Sequence, residues 1–232
     1  MQFSFLSKPR PVAAVIPMCR VHFLPKLILC VATWTNALIA ADWPAWRGPQ
    51  ANGQAEAKDL PTDWTTTQRV KWHVDLDGPG NSTPIVVRDK VFLTHSPAKS
   101  KIRGINSYHR DTGKLLWQHQ VEYAEDEPTH NTNPFCSSPP VSDGQRVIAW
   151  YGSAGLFCYD LAGNIAWQKD LGKVEHIWGY GASPLIHSDL VILNYGPGLN
   201  AFVVALERAT GREVWRREFP RQKSEKIGEY RG

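Results

Sequence analysis

A glycine followed four residues later by a tryptophan recurs three times in this chain of 232 residues, as Gly113 with Trp117, Gly163 with Trp167, and Gly211 with Trp215. An earlier tryptophan, Trp72 in the segment RVKWHVDL, makes the successive spacings 45, 50 and 48 residues. A repeat of this length with several short strands per unit is typical of a β-propeller blade. The period therefore predicts an all-β chain made of repeated sheets.

The residues before each glycine share one layout. Each copy opens with a Ser/Thr-Pro step and continues with an apolar strand, a polar turn that contains Asp, a second apolar strand and a third strand. The glycine turn and the tryptophan strand follow. We therefore expect three four-stranded antiparallel blades, at about residues 82–121, 137–171 and 182–219, and one stray outer strand around Trp72. Together they would form a partial β-propeller over residues 70–219.

The repeated glycines and tryptophans have structural roles in this layout. Glycine adopts a positive φ readily, which lets the chain turn from the third strand into the fourth. The tryptophan on the outermost strand is a large flat side chain, which we expect to fill the seam against a neighbouring blade and not to stack on a cofactor. The third strand carries small residues that leave room beside it, namely Ser107, Cys158 and Ala205.

The first 41 residues have the layout of a secretory signal peptide. Arg20 and Lys26 precede the apolar run LILCVATWTNALIAA, which is short for a transmembrane span and ends in small residues. We predict cleavage near Ala40 or Ala41, export to the periplasm or the cell exterior, and no membrane span in the mature chain. An uncleaved anchor is the alternative. The remaining boundaries are a leading segment at 42–69, the propeller at 70–219 and a polar tail at 220–232.

The net charge of +4 comes entirely from the predicted leader. Its four basic residues have no acidic counterpart, and the rest of the chain carries 22 basic and 22 acidic side chains. A neutral mature chain has no electrostatic footprint for DNA or RNA, so the charge argues against a nucleic-acid partner.

Two cysteines, Cys136 and Cys158, lie beyond the predicted leader. The strand layout places them on the first and third strands of one sheet, about 10 Å apart, which is beyond disulfide reach. We therefore expect two free thiols.

The turn segments RDTGKLLW and ERATGREVW resemble the tryptophan-docking repeat of pyrroloquinoline-quinone-type (PQQ-like) β-propellers. The Thr-Gly pair of that repeat is Thr112-Gly113 and Thr210-Gly211 here, and the second copy reads Ala162-Gly163. The segments DWPAWRGPQANG and GSAGLFCYDLAGNIAWQKDLG resemble exported, planctomycete-type members of the same family. The resemblance covers residues 42–219 and implies the propeller fold.

The resemblance also implies a ring of seven or eight blades, of which this chain would hold only a part. A truncated chain is our expectation. Assembly of several copies and a fragment of a longer protein are the alternatives.

If the chain were a quinone-dependent member of the family, the resemblance would imply a quinone and Ca²⁺ bound at the centre of the ring. It would also imply a tryptophan stacked on the quinone, acidic and amide calcium ligands, a catalytic Asp and often a disulfide between adjacent cysteines. This sequence has no adjacent cysteine pair and no matching cluster of acids and amides. We therefore predict no catalytic residue and no metal ligand, with PQQ and Ca²⁺ as expectations of the family alone.

The loops that lead from one blade to the next carry the candidate ligand residues. An acidic cluster opens the first loop, and its members Glu122, Glu125, Asp126 and Glu127 lack the alternating spacing of a calcium loop, which favours a solvated acidic loop. The two loops supply six candidates, namely His130, Asn131 and Asn133 from the first and His176, Trp178 and Tyr180 from the second. The two histidines hold comparable positions, but no third metal ligand is evident.

The sequence as a whole predicts a non-catalytic binding or scaffold module whose partner is an unknown protein or a small polar ligand. Two alternatives stay open. One is a quinone-dependent dehydrogenase that lacks its C-terminal half, and the other is an inactive remnant.

Overall fold

The computed structural model describes residues 41–56, 60–65, 67–98, 100–198 and 200–219. All of them lie in the compact unit that runs from Ala40 to Gly232. The predicted signal peptide, apart from residue 41, and the polar tail lie outside the described residues. In the described part, no helix is long and apolar enough to cross a membrane.

Three four-stranded antiparallel sheets make up the described fold, each with its strands in chain order. Blade 1 consists of β1 (Ile85–Val87), β2 (Lys90–His95), β3 (Ile102–His109) and β4 (Leu115–Glu122). Blade 2 consists of β5 (Val141–Ser142), β6 (Arg146–Trp150), β7 (Leu156–Asp160) and β8 (Ile165–Lys169), with a 3-10 turn at Gly152–Ala154. Blade 3 consists of β9 (Leu185–His187), β10 (Leu190–Tyr195), β11 (Phe202–Glu207) and β12 (Glu213–Glu218). The all-β, partial-propeller prediction is confirmed.

Each blade carries one row of paired residues that crosses all four strands and ends at the repeat tryptophan. The members of a row are partners in register, so their side chains share one face of the sheet. The rows are Ile85, Phe92, Ser107 and Trp117 in blade 1, Val141, Ile148, Cys158 and Trp167 in blade 2, and Leu185, Ile192, Ala205 and Trp215 in blade 3. Each register shifts directly after the small third-strand residue, as at a β-bulge. We call these rows the seam rows.

Two apolar cores hold the three blades together. The first lies between blades 1 and 2, where Ile85 and Phe92 pack with Tyr159. The second lies between blades 2 and 3, where Trp167 packs with Val191. Because each core takes one face from each of two sheets, burying the seam row of one blade requires the next blade.

The leading segment joins blades 1 and 2 at their first strands. Trp43 exchanges two backbone hydrogen bonds with Val86, and the Pro44 carbonyl accepts from the Ser142 amide at 2.8 Å. The Asp42 carboxylate accepts from the Arg88 amide at 2.7 Å. The leading segment therefore pairs with strand edges that would otherwise be open.

The strand layout differs from expectation at two places. The outer strand predicted around Trp72 does not form. Residues 70–76 pair with no neighbouring strand among the described residues, and a strand needs such a partner. Cys136 lies in the loop before β5, with φ of 61°, and not on a first strand. It packs in the core between blades 1 and 2, whereas Cys158 packs in the core between blades 2 and 3. Both thiols are free, as expected.

Candidate functional site

Three of the repeat tryptophans, Trp72, Trp117 and Trp167, occupy equivalent positions, each against the glycine turn of the next repeat. The indole of Trp72 lies over Gly113, that of Trp117 over Gly163, and that of Trp167 over Gly211. Each indole Nε1 also donates to a carbonyl oxygen just before that glycine, to Arg110 at 2.7 Å, to Leu161 at 3.1 Å and to Arg208 at 2.9 Å. Trp72 takes this position although its segment is not a strand. These rings are therefore engaged in packing between repeats.

The glycines are required by this contact. A Cβ built on any of the three would lie 2.7–2.8 Å from the indole, closer than real Cβ atoms approach. All three also have positive φ, from 68° to 97°. Any other residue would meet both a steric clash and backbone strain.

The seam row of blade 3 stands apart from the other two, because no blade of the described residues follows it. Its first-strand residue, Leu185, is 52% exposed, whereas the equivalent Ile85 and Val141 are 0% and 2% exposed. Trp215 is 42% exposed, whereas Trp167 is 7% exposed. Among the described residues, the seam row of blade 3 thus has residue types like those of the two buried rows but no blade packed against it.

The predicted ligand loops come together in part. The rings of His130 and Trp178 are in contact, with centroids 4.3 Å apart. The Asn133 side-chain amide donates to the Trp178 carbonyl at 2.5 Å and to the Tyr180 carbonyl at 3.2 Å. Asn133 therefore holds the second loop against the first, which is a structural contact in this geometry. His176 lies in the same second loop, where its Nδ1 accepts from the Trp178 amide at 3.3 Å.

Tyr180 is part of the core and is not presented to solvent. It is 3% exposed, its ring centroid lies 4.8 Å from that of Trp150, and its hydroxyl accepts from the Cys136 amide at 3.2 Å. Burial raises the pKa of Tyr180 well above its usual value of 10.0.

A cavity of about 240 Å³ lies beside His130 and Asn131. Its walls are rich in proline and include Pro79, Pro97, Pro134, Phe135 and Thr129. Two hydroxyl groups of this cavity form hydrogen bonds within the protein. Ser96 donates to the Ile102 carbonyl at 2.7 Å, and Ser100 accepts from the Ile102 amide at 2.9 Å. The arrangement is a small, mostly apolar recess with His130 and Asn131 at its polar side.

The acidic cluster divides into exposed residues and one buried residue. Glu122, Glu125 and Asp126 are exposed, as a solvated loop predicts. Lys173 lies 3.4 Å from Glu125, and Lys101 lies 3.1 Å from Asp126. The fourth residue, Glu127, is fully buried, and the prediction of a solvated loop is wrong for it.

Glu127 forms a buried ion pair with Arg103, a residue that sequence reasoning missed. The guanidinium lies 3.1 Å from the Glu127 carboxylate, and both side chains are at most 1% exposed. Arg103 also donates to the Tyr151 carbonyl at 2.9 Å, and the Ser153 amide donates to Glu127 at 2.7 Å. The guanidinium stacks over Phe135 at 4.2 Å. The available signal was an arginine within the third strand of blade 1. A charge buried in a strand requires a partner, so Arg103 predicts an acidic residue beside it.

Blade 1 also has a polar cluster on the face opposite its seam row. His95 is buried and lies 3.5 Å from the Asp77 carboxylate. Gln118 bridges His95 and Asn106, with its side-chain nitrogen 3.4 Å from the former and 2.8 Å from the latter. Burial lowers the pKa of His95, and Asp77 opposes that shift in part. The neutral imidazole is therefore the form that this cluster favours near pH 7.

The described residues do not fit the quinone and calcium that the repeat family implies. Three of the repeat tryptophans are packed in seams, and three of the four clustered acids face basic side chains. Within the described ranges, no three His, Cys, Asp or Glu side chains converge as a group able to hold a metal ion. We therefore derive no chemical step through a cofactor.

Comparison with known proteins identifies relatives of the repeat. The profile of the family described as outer membrane protein assembly factor BamB matches residues 55–176 and 129–229. Quinohemoprotein alcohol dehydrogenase ADH-IIG of Pseudomonas putida is 29% identical over 158 residues, which are 62% of this chain and 20% of that enzyme.

Two solved structures share the fold. A europium-containing methanol dehydrogenase superimposes with a TM-score of 0.57 at 14% identity, over 77% of this chain and 32% of that one. Quinohemoprotein alcohol dehydrogenase from Comamonas testosteroni superimposes with a TM-score of 0.55 at 18% identity, over 79% of this chain and 28% of that one. The chain thus spans less than a third of the length of each of these proteins.

Proposed function

We propose, for a chain that belongs to the PQQ-like β-propeller repeat family, a non-catalytic role as a binding or scaffold module. The observation that carries this proposal is the uncovered seam row of blade 3. The first-strand and fourth-strand positions of this row are covered by another blade in blades 1 and 2, whereas in blade 3 their occupants Leu185 and Trp215 are exposed. An exposed apolar surface of this kind is characteristic of a protein–protein contact.

The engagement of the repeat tryptophans supports the non-catalytic part of the proposal. Trp117 packs between Phe92 of its own blade and Tyr159 of the next, at centroid distances of 5.7 and 5.9 Å. A ring that is enclosed on both sides and hydrogen-bonded at Nε1 has no free face for a quinone.

The second candidate function is a quinone-dependent dehydrogenase of which this chain is a part. The 29% identity to an alcohol dehydrogenase over 158 residues favours it. In this case the residues that hold the quinone would lie outside the described residues.

Thermal unfolding in the presence of PQQ and Ca²⁺ separates the two functions, because a ligand that binds the folded state raises the midpoint. For a scaffold module we expect no change in midpoint and no oxidation of primary alcohols with an artificial electron acceptor. A saturable rise in midpoint that needs both PQQ and Ca²⁺ would support the dehydrogenase and contradict the non-catalytic role.

The same module is proposed to act after export. The proposal depends on the basic residues and apolar run of the first 41 residues. Expression in a Gram-negative host, followed by mass spectrometry of the periplasmic fraction, is expected to give a mature chain that begins near Asp42. A full-length chain retained in the membrane fraction would favour the uncleaved anchor.

A further inference from the structure

We propose that His95 and Asp77 form an acid-sensitive latch on residues 77–82, a segment that we call the strap. The strap precedes β1 along the chain and contacts the end of β2. At neutral pH the latch holds the strap in place, and protonation of His95 releases it. The proposal goes beyond the proposed function, because it applies equally to a scaffold module and to an enzyme.

Backbone amides at the end of β2 and just after it hold the strap. The Asp77 carbonyl accepts from the Ala98 amide at 3.1 Å, and the Ser82 hydroxyl accepts from the Thr94 amide at 3.3 Å. The two donors lie on either side of His95 in the sequence. The strap therefore crosses blade 1 beside that histidine.

The strap also forms part of the cavity beside His130. Pro79 lines the cavity, and the Asn81 side-chain amide donates to the Thr132 carbonyl at 2.8 Å. The Thr132 hydroxyl in turn lies 2.8 Å from His130 Nδ1. Release of the strap therefore removes one wall of the cavity and one contact that holds the His130 loop.

A relay of side chains on blade 1 sets the donor and acceptor roles around His95. The Gln118 side-chain amide donates to Asn106 Oδ1 at 2.8 Å, and the Asn106 amide donates to the Tyr108 hydroxyl at 2.8 Å. The second hydrogen of the Gln118 amide is available to His95 Nε2, 3.4 Å away. With these amide orientations Nε2 is an acceptor, and the proton of the neutral ring lies on Nδ1.

Protonation of His95 conflicts with this relay. A second ring proton, on Nε2, would face the Gln118 amide hydrogen, so that two donors would oppose each other. Nδ1 offers little compensation, because it lies 3.5 Å from the Asp77 carboxylate and makes no hydrogen bond. The new charge would also be buried, since His95 is 2% exposed. Separation of the strap relieves both costs, because water then reaches the ring.

The charges around His95 set the pH range of the latch. Among the described residues, Asp77 is the charge that acts on His95, and the neighbouring Arg103 lies on the other face of β3 with Glu127. Burial lowers the pKa of His95 below its ordinary value of 6.5, and Asp77 opposes that shift in part. A released strap returns this pKa to the ordinary value. The strap is therefore held fully above about pH 6.5 and is lost as the pH falls below it.

Hydrogen exchange of the full chain tests the latch through the Ala98 amide, whose acceptor lies on the strap. After correction for the intrinsic pH dependence of exchange, we expect its protection to fall about three- to tenfold between about pH 7.5 and about pH 5.5. The Asp160 amide, which donates to the Asn164 carbonyl at 2.9 Å in blade 2, is the internal control. Its protection is expected to stay constant.

Variants separate His95 from other titrating groups. His95→Gln keeps a neutral side chain beside Gln118 and is expected to abolish the pH dependence at Ala98. His187→Gln removes an exposed histidine of blade 3 and should behave as wild type. Asp77→Asn should deepen the loss of protection at about pH 5.5, because a carboxylate that favours the imidazolium is removed.

Three results would overturn the proposal. They are constant protection of Ala98 in wild type, an equal pH dependence at Asp160, and a His95 ring that titrates by NMR while Ala98 stays protected. The last result would mean that the relay inverts with the strap in place. If His95→Gln does not fold, Asp77→Asn and the comparison of Ala98 with Asp160 are judged by the same criteria. None of these measurements involves PQQ or a partner protein, so their outcome is independent of the proposed function.

Discussion

The indole of Trp117 lies directly over Gly163 of the following blade, and its Nε1 donates to the Leu161 carbonyl at 3.1 Å. The contact is possible only because residue 163 has no Cβ, which would stand 2.8 Å from the ring. The two residues belong to different copies of the repeat. The glycine and the tryptophan that lie four residues apart in one repeat are therefore not in contact with each other. The glycine contacts the tryptophan of the preceding repeat, and the tryptophan contacts the glycine of the following one.

Gly163→Ala is expected to destabilise the protein by about 2–5 kcal/mol, because φ of 97° is unfavourable for alanine and the new Cβ collides with Trp117. Gly144→Ala is the matched control, since its φ is 85° and a Cβ there meets nothing within 4 Å. The control is expected to lose only about 1–2 kcal/mol from the strained backbone. Urea unfolding measures both, and equal losses would show that the contact with Trp117 is unimportant.

Replacement of the seam tryptophans tests whether burial determines their contribution. Trp167→Ala removes a ring that is 7% exposed, and we expect a loss of about 3–5 kcal/mol in the free energy of unfolding. Trp215→Ala removes the equivalent ring at 42% exposure, and we expect a loss of about 1 kcal/mol or less. Denaturant midpoints of the two variants give the comparison. A larger loss for Trp215 would mean that its face is already covered in solution.

The buried ion pair is expected to behave as a unit. Arg103→Met leaves the Glu127 carboxylate buried without its partner and should cost about 3–5 kcal/mol. The double variant Arg103→Met with Glu127→Gln should recover part of this loss, because no isolated charge is left. Lys173→Met, which breaks the exposed pair with Glu125, is the control and should cost less than about 1 kcal/mol. Additive effects of the two buried substitutions, read from urea unfolding, would argue against a coupled pair.

The two buried thiols are expected to be unreactive in the folded protein. Burial raises the pKa of Cys136 and of Cys158 from 9.0 to about 12. At pH 8 both are therefore protonated, and thiolate is the reactive form. Peptide mapping after iodoacetamide treatment should show modification of these residues only after denaturant is added. Rapid labelling in the absence of denaturant would contradict their burial.

The same shifts make stability depend on alkaline pH. The unfolded chain loses its thiol protons near pH 9, whereas the folded chain keeps them up to about pH 12. Since the folded state then binds more protons, the free energy of unfolding falls as pH rises between these values. A Cys136→Ala, Cys158→Ala double variant is expected to lose less stability over this range in urea titrations. An identical slope in both proteins would remove the thiols as the cause.

Some features of the fold and the site could be predicted and others could not, for identifiable reasons. The blade architecture follows from a local pattern, because a turn glycine and a strand tryptophan are both visible in sequence. The partner of Glu127 does not, since Arg103 lies 24 residues earlier and comes near it only when blade 1 forms. Tyr180 resembled a loop ligand because its neighbours are polar or exposed, but the packing of blade 2 encloses its ring against Trp150.

The sequence by itself determined the repeat, its period and the residue types at each seam, because these depend on backbone conformation and strand alternation within one unit. Only the tertiary structure decided which tryptophan is covered. That depends on whether another sheet stands opposite, and the contact joins residues about one repeat apart, as with Trp167 and Gly211. Trp215 has the same offset from its turn glycine as Trp117 and Trp167, yet it is exposed because no described blade lies opposite it.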